Sequence, residues 1–161
     1  MNYLVDGYNL LRLIENSADG PEPLTDLQMC HILSRYFKSI ANDGCVIFDG
    51  KGPPDKSGFY SIGYLEVIFS GVSLEADDVI ENKINTSSAP KQVVVVSDDR
   101  RLRTAAQRRK AVSMRCQPFW NNVLGQLKRA DTTKRTEPDE KRFGITESET
   151  DQWLDFFKLE Q

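Results

Sequence analysis

A chain of 161 residues with 39% hydrophobic and 28% charged side chains has the size and balance of one soluble globular domain with its own core. Its formal charge of −3 gives little guidance by itself, because the acidic excess gathers after residue 136 and leaves the body mildly basic, a bias that could face a polyanion but is too small to name a partner. Cys30, Cys45 and Cys116 are too widely spaced for a disulfide framework or a zinc pattern, and no apolar run reaches the roughly 18 residues of a membrane span. Reduced thiols in the cytoplasm are therefore expected, or in an organelle if a targeting segment lies outside the sequence.

Residues 2–5 predict a short buried strand ending at Asp6 and Gly7, where aspartate before glycine suits a turn. A helix is expected to start at 7–16 and to break at the glycine and two prolines of 17–23. Leu24, Leu27, Ile32, Leu33, Tyr36, Phe37 and Ile40 recur at three- and four-residue steps, which predicts an amphipathic helix. The second strand, 45–48, also ends in Asp-Gly, at Asp49 and Gly50. Residues 64–70 read as a third strand. Ser73 is expected to cap the next helix, with Asp77 and Asp78 in its first turns.

The apolar run at 92–96 suits a strand covered on both faces and ends at Ser97, Asp98 and Asp99, ahead of an arginine-rich helix. A fifth strand at 111–116 and a helix from Pro118 follow. Residues 128–145 read as a charged linker or surface excursion after a domain at 1–127. Thr146 and Glu149 then open a helix at 146–161, expected to dock through Trp153, Leu154, Phe156 and Phe157.

This alternation of strands and helices predicts an α/β fold with a mainly parallel sheet. In such folds ligands bind beyond the carboxyl ends of the strands. Asp6, Asp49 and the Asp98–Asp99 pair all follow strands, and Asp77 and Asp78 open a helix after another. Converging carboxylates repel one another and need a cation or hydrogen bonds to stay ionised. An all-oxygen set without a histidine or cysteine cluster selects a hard ion, Mg²⁺ or Mn²⁺. Such ions activate water and neutralise charge on a phosphodiester. Asp77, nearer the cap, is preferred over Asp78. Asp98, nearer the strand, is preferred over Asp99, which also suits a helix cap or water-mediated coordination. Asn9 suits a brace for the first loop, Asp49 suits site or turn duty equally, and Ser97 can donate a hydrogen bond. His31 falls inside the long helix and reads as a surface or packing residue.

The chain resembles the NYN domains of the PIN-like nuclease superfamily, in particular the YacP-like branch. The resemblance rests on LVDGYNLL at 4–11, VIFDGKG at 46–52, IFSGVSLEADDVIE at 68–81 and VVVVSDDRRLRTAA at 93–106. It implies a PIN-like three-layer α/β/α fold and a metal-dependent endoribonuclease. Its site would comprise Asp6, Asn9, Asp77, Ser97 and Asp98, with Asp99 or Asp78 as a further ligand. Asp6, Asp77 and Asp98 are then the expected Mg²⁺ or Mn²⁺ ligands, and RNA would be cut to 5′-phosphate and 3′-hydroxyl ends.

Members of this superfamily act on ribosome-associated mRNA or on structured RNAs, so the implied partner is RNA, with mRNA or ribosome-associated RNA as candidates and no membrane. Arg100, Arg101 and Arg103 form a basic stretch suited to phosphates, while Arg108, Arg109 and Lys110 also suit a helix C-terminus. Lys51, Lys56, Tyr8 and Tyr60 can line the approach, the tyrosines by stacking on unpaired bases. Two other readings compete: a non-catalytic RNA- or ribosome-binding module, and a metal-dependent phosphatase. Residues 6–8 are Asp-Gly-Tyr and lack the Asp-x-Asp of one large phosphatase class, and no P-loop motif occurs.

Overall fold

The computed structural model describes residues 1–17 and 23–134. In chain order they form β1 (Asn2–Asp6), α1 (Gly7–Ser17), α2 (Asp26–Ser39), β2 (Asp43–Phe48), α3 (Ser57–Tyr60), β3 (Leu65–Phe69), α4 (Ala76–Thr86), β4 (Val93–Val96), α5 (Arg100–Arg108), β5 (Val112–Met114) and α6 (Cys116–Lys134). A single 3₁₀ turn at Pro90–Gln92 leads into β4.

Side chains alternate across a strand, and the middle strands of this sheet are apolar on both sides. Val5, Val46, Phe48, Val94 and Val96 join the core beneath α1, α2 and α6. Leu4, Cys45, Ile47, Val93 and Val95 join the core beneath α4 and α5. Two apolar faces require two helical layers, which gives the three-layer α/β/α architecture. The five strands are all parallel in the order β3-β2-β1-β4-β5. From β1 the chain builds outward through β2 and β3, then returns to the other side of β1 with β4. The β1–β4 boundary is thus the topological switch point, where a crevice opens at the carboxyl ends. Four helices, α1, α4, α5 and α6, follow strands and start at that end. Their positive dipole ends favour negative charge there.

Three local expectations change. No turn separates β1 from α1: the helix begins at Gly7, and Asp6 caps it by accepting from Asn9 N at 3.3 Å. Ser73 does not cap α4, which starts later, with Glu75 in the cap position and the Asp78 carboxylate accepting from Glu75 N at 3.1 Å. The helix expected from Pro118 starts at Cys116 and runs to Lys134, past the boundary drawn at 127. The polar composition of 128–134 hides how that turn is held: Leu127 is buried and Asp131 pairs with Arg35 of α2 at 3.6 Å. The helix expected at 146–161 lies outside the described residues. Among the described residues no helix is long and apolar enough to cross a membrane.

Candidate active site

The site grows from the last residue of β1. Asp6 shares the strand parity of Leu4, so it turns toward the α4–α5 side of the sheet. It and Ser97 are the buried polar side chains among the described residues. Besides capping α1, Asp6 accepts from Ser97 Oγ at 3.1 Å. Ser97 Oγ in turn accepts from Asp99 N at 3.0 Å. Burial pushes the Asp6 carboxyl above the usual carboxylate range, the Asn9 and Ser97 bonds pull it back, and the Asp99 charge raises it again.

Asp77 stands in the first turn of α4, half-buried. Its carboxyl is pushed up to about 6, first by desolvation and then by the charges of Asp6 and Asp99. Asp99 caps α5, with Oδ1 accepting from Arg101 N at 2.7 Å and Leu102 N at 3.4 Å. The Asp99 charge therefore bears on both Asp6 and Asp77, and the Asp6 charge bears on Asp77. This distinguishes Asp99 from Asp98, which distance from the strand had placed first. The Asp98 carboxylate turns to the start of α6 and accepts from Cys116 N at 3.1 Å. Its backbone N donates to Asn9 Oδ1 at 3.3 Å, so Asn9 ties α1 to the β4–α5 loop.

Asp78, the doubled aspartate, is held by other partners. Arg101 Nη2 lies 2.8 Å from it and also holds Glu81 at 2.9 Å, with Arg101 Nε on the other Glu81 oxygen at 3.0 Å. The Arg101 bond and the bond from Glu75 N keep the Asp78 carboxyl below its usual range. Arg101, expected on RNA, is thereby committed to the α4–α5 joint. Asp49 is neither a bare turn residue nor a member of the trio. Its Oδ1 accepts from Ser70 Oγ at 3.2 Å and from Ala76 N at 3.1 Å, which anchors the residue before Asp77.

Of the expected RNA contacts, Tyr8 packs edge-on against Phe48 with ring centroids 5.0 Å apart. Arg103 is half-buried, its Nε enclosed and without a hydrogen-bond partner in the structure. Arg100, Lys51 and Tyr60 are exposed. Two residues at the site escaped the sequence reading. Ser70 follows β3 much as Ser97 follows β4, a parallel that was available in the sequence. Cys116 had no such signal; its buried thiol is pushed up to about 12, by desolvation and then by Asp98 and Asp6, and stays protonated.

Among the described residues no three histidine, cysteine, aspartate or glutamate side chains are drawn together closely enough to hold an ion. The donor chemistry nevertheless fits one: all donors are oxygens, and Asp77, raised first by desolvation and then by the charges of Asp6 and Asp99, would be kept ionised by a divalent cation. Asp99 gives a first test. Asp99→Ala is expected to destabilise the protein by about 1 kcal/mol through loss of the α5 cap. Asp99→Asn keeps an acceptor and removes one repelling charge, so its thermal midpoint should match or exceed that of wild type. Equal losses in the two variants would refute this division between cap and charge.

The model of the YacP-like NYN domain family matches residues 3–157. The fold is similar to the crystal structure of Rae1 (YacP) from Bacillus subtilis, with a TM-score of 0.68 and 20% identity over 99% of this chain and 89% of that one. The W164L mutant of the same protein gives a TM-score of 0.64 and 22% identity over 91% and 89%. Comparison with curated proteins yields no match.

Proposed function

Because the chain belongs to the YacP-like NYN domain family, we propose that its acidic crevice hydrolyses RNA phosphodiester bonds with Mg²⁺ or Mn²⁺, leaving 5′-phosphate and 3′-hydroxyl ends. Family and fold support an RNA-cleaving enzyme. The observation that supports a metal is that Asp6, Asp77 and Asp99, all oxygen donors, stand at the switch point of the sheet, with Asp99 bonded to the serine that bonds Asp6 and its charge bearing on Asp77. These three carboxylates would hold the ion, which when bound supplies charge neutralisation and activates water.

The protein's own part is orientation. Asn9 N and Ser97 Oγ lock both oxygens of Asp6, so that carboxylate enters the site in one rotamer. Asp49 holds the start of α4 and thereby presents Asp77. Asp98 and Asn9 join the β4–α5 loop to α1 and α6, closing the far wall. Helix N-termini around the crevice favour an incoming phosphate without a histidine base. Cytoplasmic RNA, including mRNA and ribosome-associated RNA, is the substrate class this reading calls for.

The test is cleavage of a panel of single-stranded and structured RNAs with added Mn²⁺ or Mg²⁺, with the ends of the products mapped. Wild type should cut only with the ion, and Asp6→Asn should lose at least about 100-fold, the scale of about 3 kcal/mol of lost charge stabilisation. Undiminished cutting by Asp6→Asn would remove the carboxylate cluster from the mechanism. Tight RNA binding with no cutting by wild type would favour a binding module instead.

A further inference from the structure

An acidic crevice alone repels a polyanion, so a ribonuclease of this design needs cations close beside it. The loop after β2 supplies them. Lys51, Lys56, Tyr60, Phe69 and Gly71 line a depression of about 430 Å³ along the outer side of β3, an edge strand of the sheet. Its volume is that of a small-ligand cleft.

Its floor is rigid. Phe69 stacks on Phe48 at 5.6 Å and meets Phe59 edge-on at 5.2 Å. The loop closes tightly over that ring at Gly52, where φ is +70° and an added Cβ would stand 2.5 Å from Phe69. Lys56 Nζ lies 5.8 Å from the centroid of the same ring. Tyr60, by contrast, is 70% exposed while its neighbour Phe59 is buried at 4%. An aromatic ring open to solvent in a depression that two lysines also line is poor core material and a good stacking platform.

The depression also shares a wall with the crevice. Gly71 N donates to Gly50 O at 2.9 Å, joining the loops that follow β2 and β3. Asp49, the residue before Gly50, bonds Ala76 N, the residue before Asp77. These two bonds link the loop that carries Lys51 and Lys56 to the start of α4, where Asp77 stands.

Resting on the ribonuclease reading above, we propose that this depression is a nucleobase subsite for single-stranded RNA: an unpaired base near the cut stacks on Tyr60, while Lys51 and Lys56 take the neighbouring phosphates. A base inside a duplex is already stacked and cannot be splayed onto the ring, so the subsite selects unpaired segments.

The experiment measures binding of a fluorescein-labelled single-stranded RNA dodecamer and of its duplex in EDTA, then cleavage of the same strand with Mn²⁺. Tyr60→Ala should weaken single-strand binding about tenfold, the scale of one lost base stack, and Tyr60→Phe should retain it. Duplex binding should be unchanged. In cleavage, Tyr60→Ala should raise KM about tenfold with kcat preserved. Lys51→Gln with Lys56→Gln should lower affinity and flatten its salt dependence, while Lys91→Gln, in the turn that precedes β4, should do neither. Placing one abasic residue at successive positions should reveal a single position that erases the difference between wild type and Tyr60→Ala. Unchanged affinity and KM in Tyr60→Ala, with wild type cutting normally, overturns the subsite and leaves the nuclease reading standing. Tyr60-dependent binding without cutting by wild type does the reverse. A wild type that neither binds nor cuts the strand overturns both.

Discussion

Asp77→Asn is expected to abolish RNA cleavage, by about 100-fold or more, while raising the thermal midpoint of the metal-free protein at pH 7. The two effects have one cause. In the folded chain the Asp77 carboxyl is pushed up to about 6 from an ordinary 3.8, by desolvation and by Asp6 and Asp99. Between those values the native state holds a proton that the unfolded state has released, so the stability it contributes is full below about 3.8 and lost as pH rises through about 6. At pH 7 the charged carboxylate thus works against the fold.

Solvent screening at this half-open position limits the cost to about 1 kcal/mol, which is about 2–4 °C in a chain of this size. Asparagine removes that cost, so the gain over wild type should be small at pH 4 and largest above about pH 6. Added Mn²⁺ should then stabilise wild type more than the variant, because ligand binding to the native state adds stability only where the site is intact. Calorimetry across pH, with and without the ion, checks both signs. A variant less stable than wild type at pH 7 in EDTA would show that Asp77 is held by favourable contacts and not crowded.

The second large effect is expected one residue after Asp6. Gly7→Ala adds a methyl that would lie 2.5 Å from Cδ1 and Cε1 of Phe48 and 3.0 Å from Ile47 O. Phe48 cannot yield easily, being fully buried, stacked on Phe69 and met edge-on by Tyr8. Alanine favours a helix over glycine by about 1 kcal/mol, but overpacking of this kind costs about 1–3 kcal/mol and has no free space to relax into. A net loss of up to about 2 kcal/mol is expected, seen as a lower urea midpoint at unchanged slope. Because Asp6 caps α1 at that very point, relief of the clash also moves its carboxylate. Cleavage well below the midpoint temperature should fall about tenfold or more, since small misplacements of reacting groups are costly. Wild-type stability together with wild-type turnover would show that Phe48 has room the structure does not suggest.

Much of this architecture was legible in the sequence because burial on both faces leaves a plain record. The unbroken valines of β4, the helical stepping of α2 and the repeated aspartate at strand ends are all local, and together they gave the parallel sheet and the end at which the acids gather. The family resemblance then named the chemistry. What stayed hidden depends on partners distant in sequence. Asp98 meets Cys116 N, 18 residues away, while Asp99 caps its own helix. Asp78 and Arg101 neutralise each other across 23 residues, and Asp49 reaches 27 residues to Ala76. No spacing rule reports such contacts. At Gly7 the expected helix forms without the expected turn, and Phe48 reveals why a glycine stands there.

The position of β1 in the sheet also sets a schedule. This strand is made before the other described strands, yet it lies in the middle, paired with β2 on one side and β4 on the other. Its second edge stays open until residue 96 has been made, and Ser97 and Asp99 come later still. A chain arrested before that point has Asp6 without its opposing wall. The acidic end of the sheet is therefore assembled only after β2, β3 and α4 have been made, when most of the described residues have been translated.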